Sequence, residues 1–487
     1  MALAAVALSA SACGSGAPAA STVRGRVLRI ERTPSGPPLA SGFLGLSVKY
    51  RDLERYVGVD PAALNPAFLQ LVRNLAPGQR PVIRIGGDST DWTWWPVPHM
   101  AKPGGVRFNL SPAWTAVARA TARALDARLI LGINFEADSG RVAGVEARKL
   151  ISSVGTAAIA ALELGNEPEL YRSFPWYETA SGTKVPGRPQ SYTFDSFLKD
   201  YANIVKALPQ VPLAGPSSGS ASYLAYLDQF LSSEPRVRIV TMHAYPLKYC
   251  VPSNPPTITQ LLAPTAAQAL TIQAGALAAI AHRHHLTLRM DELGSVSCGG
   301  YPPVTYSFAG ALWAMNQLFE LDRAGVDGVN FVTNSNTVQH LIAVSQSGGR
   351  WSDAVLPEYY GLLAFARSAP PGSRVLRIAG SLPPGVQAWA TAAPGGRLHV
   401  VLINTGTQPR TFALRIDGAA GAATLERLQA PGLAARSGVA LGGQAIAPST
   451  GLLTGTARSA TVTPAAGAYA VHVGGTSVAL LALRTAG

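Results

Sequence analysis

The sequence predicts an α/β chain: a (β/α)8 barrel of the TIM type followed by a C-terminal antiparallel β-sandwich. Three observations predict it. Between residues 43 and 370, eight short β-rich runs alternate with eight apolar helical patterns, as expected of parallel strands each followed by a returning helix. Most of those runs are apolar almost throughout, as strands covered on both faces are. From about residue 373 the helical periodicity ends, and short alternating strands between Gly/Pro turns replace it.

In chain order, the barrel strands are expected at 43–48, 81–85, 129–134, 160–165, 211–214, 239–243, 286–291 and 326–331. The fifth has the weakest pattern. Helical patterns fill the gaps at 61–74, 113–126, 142–156, 197–208, 222–231, 266–282 and 307–324, and an eighth, 358–367, follows the last strand. The sandwich strands are expected at 387–391, 398–404, 410–416, 422–428, 469–473 and 477–483. A strand at 22–30 precedes the barrel and is expected to cross over into the sandwich, tying the chain's two ends together. The resulting division is 1–20 for a signal and linker, 21–42 for the crossing strand, 43–370 for the barrel and 371–487 for the sandwich.

Composition bounds the function. The 487 residues are 47% hydrophobic and 14% charged, which suits a globular chain and not a disordered one. No apolar run reaches the ~18–20 residues of a membrane span. The net charge is +13, from 40 Lys and Arg against 27 Asp and Glu. Nucleic acid is a poor explanation, because the basic residues form no cluster and no recognition motif. Compositional bias and an acidic sugar substrate both fit.

The first twelve residues are apolar and small, and they end in Ser9-Ala10-Ser11-Ala12-Cys13. This resembles a bacterial lipoprotein signal, with cleavage before Cys13 and acylation of its thiol; a plain secretion signal is the other reading. Either way the protein is expected outside the cytoplasm, and any membrane contact is expected through a lipid anchor at Cys13. In that compartment Cys250 and Cys298, which follow strands 6 and 7, are expected to form a disulfide bracing the pocket wall.

Catalytic groups of such barrels sit at the C-terminal ends of the strands. Strand 4 ends Leu164-Gly165-Asn166-Glu167-Pro168, and strand 7 ends Arg289-Met290-Asp291-Glu292-Leu293-Gly294. Two carboxylates, Glu167 and Glu292, are therefore expected at the mouth, where strands 4 and 7 of a closed barrel can face each other. Glycoside hydrolysis needs such a pair: one protonated to serve the leaving oxygen, one ionised to meet the anomeric carbon.

Asn-Glu-Pro after strand 4 with a Glu ending strand 7 resembles clan A of the retaining glycoside hydrolases. The segments Ile83-Arg84-Ile85-Gly86-Gly87-Asp88, His243-Ala244-Tyr245-Pro246 and Ser295-Val296-Ser297-Cys298-Gly299-Gly300 narrow the resemblance to glycoside hydrolase family 79, the β-glucuronidase and heparanase family. The resemblance implies Glu167 as acid/base, Glu292 as nucleophile and Asn166 on the sugar's 2-hydroxyl. It also implies that Arg84 and Tyr245 keep Glu292 ionised. The substrate would be an oligo- or polysaccharide or a glycoconjugate.

Asp88, Asn134 and His243 end strands 2, 3 and 6, where each either meets sugar hydroxyls or is a satisfied buried polar group. Of Trp92, Trp94 and Trp95, most are expected in the core, with one exposed. The chain also departs from the family. Lys49 stands where an acidic residue is common, and Ser297 where a Tyr helps hold the glucuronate carboxylate. The backbone N–H groups of Cys298 and Gly299, with Lys49, are the remaining candidates for that carboxylate. No metal or cofactor is required: His282, His284 and His285 precede strand 7 on the barrel's far face, and Gly86-Gly87 lacks the Lys-Ser/Thr of a phosphate loop. Three functions stay open: an exo-acting retaining β-glucuronidase, a retaining glycosidase for another sugar of the cell envelope, and a non-catalytic glycan-binding lipoprotein. The Pro/Gly-rich insertion 171–193 bears on exo action, since it either walls the pocket or covers the barrel.

Overall fold

The computed structural model describes residues 25–484. The export-signal segment and Cys13 lie outside them. Among the described residues no helix is long and apolar enough to cross a membrane.

Eight parallel strands close a barrel. We label them β1 (Leu44–Lys49), β2 (Val82–Gly86), β3 (Arg128–Ile133), β4 (Ile159–Leu164), β5 (Leu213–Ser218), β6 (Val237–Ala244), β7 (Thr287–Leu293) and β8 (Gly328–Val332). They pair in sequence order, and the barrel closes where β8 meets β1. Strand alternation fills the interior in layers. Ile130, Ala161 and Ala214, with Val82 and Ile239 against them, form an apolar plug at the N-terminal end. Two residues further along, the inward positions turn polar: Arg84 on β2, Glu163 on β4, Thr241 on β6 and Asp291 on β7, all buried. This polar layer is the floor of the pocket.

Three of the differences from the sequence expectation lie in elements of the barrel. A helix, Tyr50–Val57, follows β1 directly, burying Tyr50, Leu53, Tyr56 and Val57 along one stripe; the expected first helix is the next one, Pro66–Leu75, capped by Asn65. The expected helix 222–231 is two short ones, Ala221–Leu224 and Leu227–Ser233. Finally, β5 continues through Gly215-Pro216-Ser217-Ser218, which reads locally as a turn. Pairing of Gly215 with Val240 and Ser218 with Met242 on β6 carries the strand past a one-residue bulge, where Ser217 takes the left-handed conformation at φ 56°: tertiary hydrogen bonding keeps the segment in the sheet against its local turn preference.

The C-terminal part is one ten-stranded sheet folded over itself into a sandwich. The strand Arg26–Pro38 is built into it, antiparallel to Arg374–Ala379 and parallel to Arg410–Ile416. One face encloses the sandwich's own core, including Leu28, Ile30, Leu402, Phe412, Val471 and Leu481. The alternate residues Trp389, Val401, Ile403, Val478 and Leu480 belong to the barrel's core instead. Trp389 stacks on Phe319 of helix Phe308–Arg323 at 5.3 Å and donates its indole N–H to Asn316.

Candidate active site

Arg84 organises the site. Its guanidinium is fully buried and reaches in every direction its planar fork allows. Nε donates to Glu163 Oε2 at 2.7 Å and Nη1 to Glu292 Oε2 at 2.7 Å. Nη2 donates to Asn166 Oδ1 at 2.9 Å and to Ser217 Oγ at 3.0 Å. Burial opposes its charge, but Glu163, Asp291 and Glu292 outweigh burial and raise its pKa.

Glu292 reaches the pocket through an irregularity in β7. The pairing of β6 with β7 slips by one residue, from Met242 opposite Met290 to His243 opposite Glu292. Asp291 is the extra residue, a bulge of the kind that re-aims side chains beside active sites. The consecutive carboxylates Asp291 and Glu292 are thereby both turned toward Arg84, at 3.1 and 2.7 Å. Glu292 Oε1 accepts from the Tyr245 hydroxyl at 2.6 Å. Burial and the Glu292 charge hold that phenol protonated, with its pKa raised well above the usual value.

Glu167 sits opposite. Its backbone takes the left-handed conformation, φ 49° and ψ 57°, a strained geometry that collects at functional sites. Its N–H is fixed on Ser217 O at 2.8 Å. His243 Nδ1 lies 3.0 Å from Glu167 Oε1, and His243 Nε2 lies 3.6 Å from Asp291 Oδ1. Burial disfavours the imidazolium, but Asp291, Glu292 and Glu167 overcome this and raise the His243 pKa well above the usual value. Carboxylate oxygens of Glu167 and Glu292 and a ring nitrogen of His243 all lie within 4.8 Å of one another. The two carboxylates are the cluster's exposed part, with side chains 23% and 16% accessible. Arg84 and a protonated His243 already supply positive charge at the place a cation would take.

No protein-family model matches the chain, and no curated protein does. Solved structures do. A 4-O-α-L-rhamnosyl-β-D-glucuronidase from Fusarium oxysporum 12S aligns with a TM-score of 0.74 at 16% identity, over 94% of this chain and 100% of its own. A GH51 arabinofuranosidase from Xanthomonas axonopodis pv. citri gives 0.66 at 15%, over 94% and 99%. The bifunctional glucanase-xylanase CelM2, from a metagenome library, gives 0.61 at 13%, over 95% and 99%. The chain shares the fold of these glycoside hydrolases, a closed eight-stranded barrel followed by a C-terminal sheet domain.

The other sequence-predicted residues divide. Lys49 and Asp88 stand together at the rim, Nζ to Oδ2 at 2.9 Å, and Lys49 lies over the Trp92 ring at 5.2 Å. Asp88 Oδ1 also faces Asn166 Nδ2 at 3.5 Å. Burial works against the Asp88 carboxylate, but Lys49 more than offsets it and lowers its pKa. Trp92 and Trp95 are half-buried and Trp94 is buried, so none of the aromatic trio is fully exposed. Asn134 is not brought to the pocket: its side-chain N–H groups go to Asp91 O and Thr93 O, at 2.9 and 2.8 Å, and its Oδ1 accepts from Ala137. Ser297 lies in a two-strand ladder with Lys248. Gly299, at φ 89°, follows Cys298, which is joined to Cys250 by a disulfide. Neither Ser297 nor Gly299 has a hydrogen bond to Glu167 or Glu292 among the described residues. On the far face His282 pairs with Asp327 and His284 with Asp228.

Several site residues escaped the sequence reading. Asp91 accepts the backbone N–H groups of Phe135, Glu136 and Asn166 and the hydroxyl of Tyr171, fixing the loops after β3 and β4. Glu169 accepts from Gly219 N at 2.8 Å, and burial and the Glu167 charge push it up to about 7. Ser217 was hidden in a turn-like string. Glu163 does leave a signal in the sequence, as a carboxylate within an apolar parallel strand.

Proposed function

We propose that the protein is a retaining β-glycoside hydrolase with Glu167 as acid/base and Glu292 as nucleophile. The observation that carries this reading is the carboxylate pair at the barrel mouth. Its oxygens approach within 4.8 Å, the close spacing of double displacement, where no water sits between the carboxyls (about 5–5.5 Å between groups, against roughly 6.5–9.5 Å for inversion). Arg84 and the Tyr245 hydroxyl each hold one Glu292 oxygen by a hydrogen bond.

In the first step Glu167 protonates the glycosidic oxygen while a Glu292 oxygen bonds the anomeric carbon, and the aglycone leaves. In the second, Glu167 takes a proton from water, the water oxygen bonds the anomeric carbon, and Glu292 is released. Asn166, oriented by Arg84, is placed to meet a sugar hydroxyl.

The family 79 motifs support a β-glucuronide as substrate. The insertion supports exo action. Its hairpin, Pro175–Glu178 with Lys184–Pro186, leans on the loop after β2, where Trp176 and Tyr177 lie against Gly105 and Gly104, and Arg188 ties it to Phe135 O and Glu136 O. A neutral sugar is the second reading, favoured by the Lys49–Asp88 pair at 2.9 Å, which already neutralises the rim cation.

The test is a panel of aryl β-glycosides, the glucuronide beside glucoside, galactoside, mannoside and pentosides, run with wild type and Glu292→Gln. Turnover of one sugar with retained anomeric configuration, lost in Glu292→Gln, is expected. Inverted product, or equal turnover by the variant, overturns the assignment.

A further inference from the structure

Beneath the two pocket-facing carboxylates lie two more that double displacement does not use. Glu163 and Asp291 have fully buried side chains, and both aim an oxygen at one nitrogen: Arg84 Nε is 2.7 Å from Glu163 Oε2 and 3.1 Å from Asp291 Oδ2. That nitrogen carries a single N–H, and it is given to Glu163. Glu163 Oε1 and both oxygens of Asp291 are then buried with no hydrogen-bond donor. Orphaned acceptors in a dry interior are costly, and adjacent buried carboxylates do not both ionise. One proton held between the two carboxyl groups joins Glu163 Oε1 to one Asp291 oxygen and removes one of the two charges.

The surroundings decide which group carries it. Asp291 faces two cations, Arg84 from β2 and His243 from β6. The other titratable groups around the pair are Glu292 and Arg289 on β7, Glu167, and the Tyr50 and Tyr201 hydroxyls. Burial raises the pKa of Glu163; Arg84 and His243 outweigh burial at Asp291 and lower its pKa.

We propose that Glu163 is a positioning residue held as a neutral carboxylic acid, donating its proton to Asp291 and so fixing the charge beneath Glu292. With Glu163 neutral, two cations, Arg84 and His243, face two carboxylates, the buried Asp291 and the pocket-facing Glu292. The Nη1 donor and the charge of Arg84 are then available to Glu292. An ionised Glu163 would compete with Glu292 for that guanidinium. The kinetic consequence rests on the glycosidase reading; the shared proton does not.

Three variants test it. In Glu163→Gln the amide donates to Asp291 and its carbonyl accepts from Arg84, so the neutral acid is reproduced. In Glu163→Met neither bond remains. Asp291→Asn removes the anion that receives the proton. Glu163→Gln is expected to keep kcat/KM within about threefold of wild type, and the other two to fall by at least about tenfold. The wild type is expected to lose activity on its alkaline limb as Glu163 gives up its proton, and Glu163→Gln to lack that limb. Independently of turnover, the infrared difference between wild type and Glu163→Gln at neutral pH is expected to show one carboxylic-acid carbonyl band belonging to the wild type. Absence of that band, or a Glu163→Gln as impaired as Glu163→Met, overturns the proposal. If no glycoside is hydrolysed, the glycosidase reading fails by itself, and the infrared band still decides the proton.

Discussion

Glu292 accepts one hydrogen bond from Arg84 and one from Tyr245, so each of its oxygens is held by a separate donor. A hydrogen bond to a charged group contributes about 1.5–3 kcal/mol. Tyr245→Phe is therefore expected to lower kcat/KM by roughly ten- to a hundredfold while the thermal midpoint stays near wild type. A lowered midpoint with unchanged kinetics would place Tyr245 in the fold instead. Gly219 has a comparable role opposite. A Cβ there would sit 2.8 Å from Glu167 Oε1, so Gly219→Ala must displace the Glu167 carboxylate. We expect at least about a tenfold loss in kcat on aryl glycosides, with a normal melt. At this scale the sequence displayed Glu167, Glu292, Arg84 and Tyr245 because they stand in motifs at strand ends. It did not display Asp91 or Glu163, whose roles come from partners 44 and 79 residues or more away along the chain.

The elements of the site differ in how local their causes are. Periodicity marks β2, β4 and β7, but the bulge that turns both Asp291 and Glu292 toward Arg84 is a product of pairing with β6 and β8, and no local propensity encodes it. The loops after β6 and β7 are joined twice, by the Leu247–Lys248 to Val296–Ser297 ladder and by the Cys250–Cys298 disulfide. Closing a loop with a sequence separation of 48 residues contributes up to about 4 kcal/mol by chain entropy. Cys250→Ser/Cys298→Ser is expected to melt lower by that order and to be cut by protease first in these loops, yet to retain measurable turnover well below its melting midpoint. An unchanged midpoint would mean that the ladder alone fixes the loops.

At the scale of the whole molecule, barrel and sandwich are held by a shared apolar layer, and close helix packing completes it. Gly361 of helix Pro357–Ser368 lies where a Cβ would come 2.1 Å from Ala311 O. The helices packed there also bury acids. Burial pushes Asp322 up to about 7 and Glu358 up to about 8. Both are bound as neutral acids in the folded state and ionise near pH 4 once unfolded. The unfolded chain then holds fewer protons, so stability falls as pH rises from about 4 until it passes the folded values near 7 and 8. Glu358→Gln is expected to flatten this decline, raising the midpoint at pH 9 by at least about 2 °C relative to wild type; parallel curves for the two proteins would show that Glu358 does not titrate. Sequence periodicity by itself determined the barrel, the change to alternating strands and the strand ends that bear Glu167 and Glu292, because burial on both faces of a parallel strand leaves a local apolar pattern. The continuation of β5, the β7 bulge, the commitment of Asn134 to backbone and the convergence of Glu163 and Asp291 on Arg84 were decided only by tertiary structure. Each depends on a hydrogen bond or charge supplied by a distant segment, and no pattern within a single segment records such a partner.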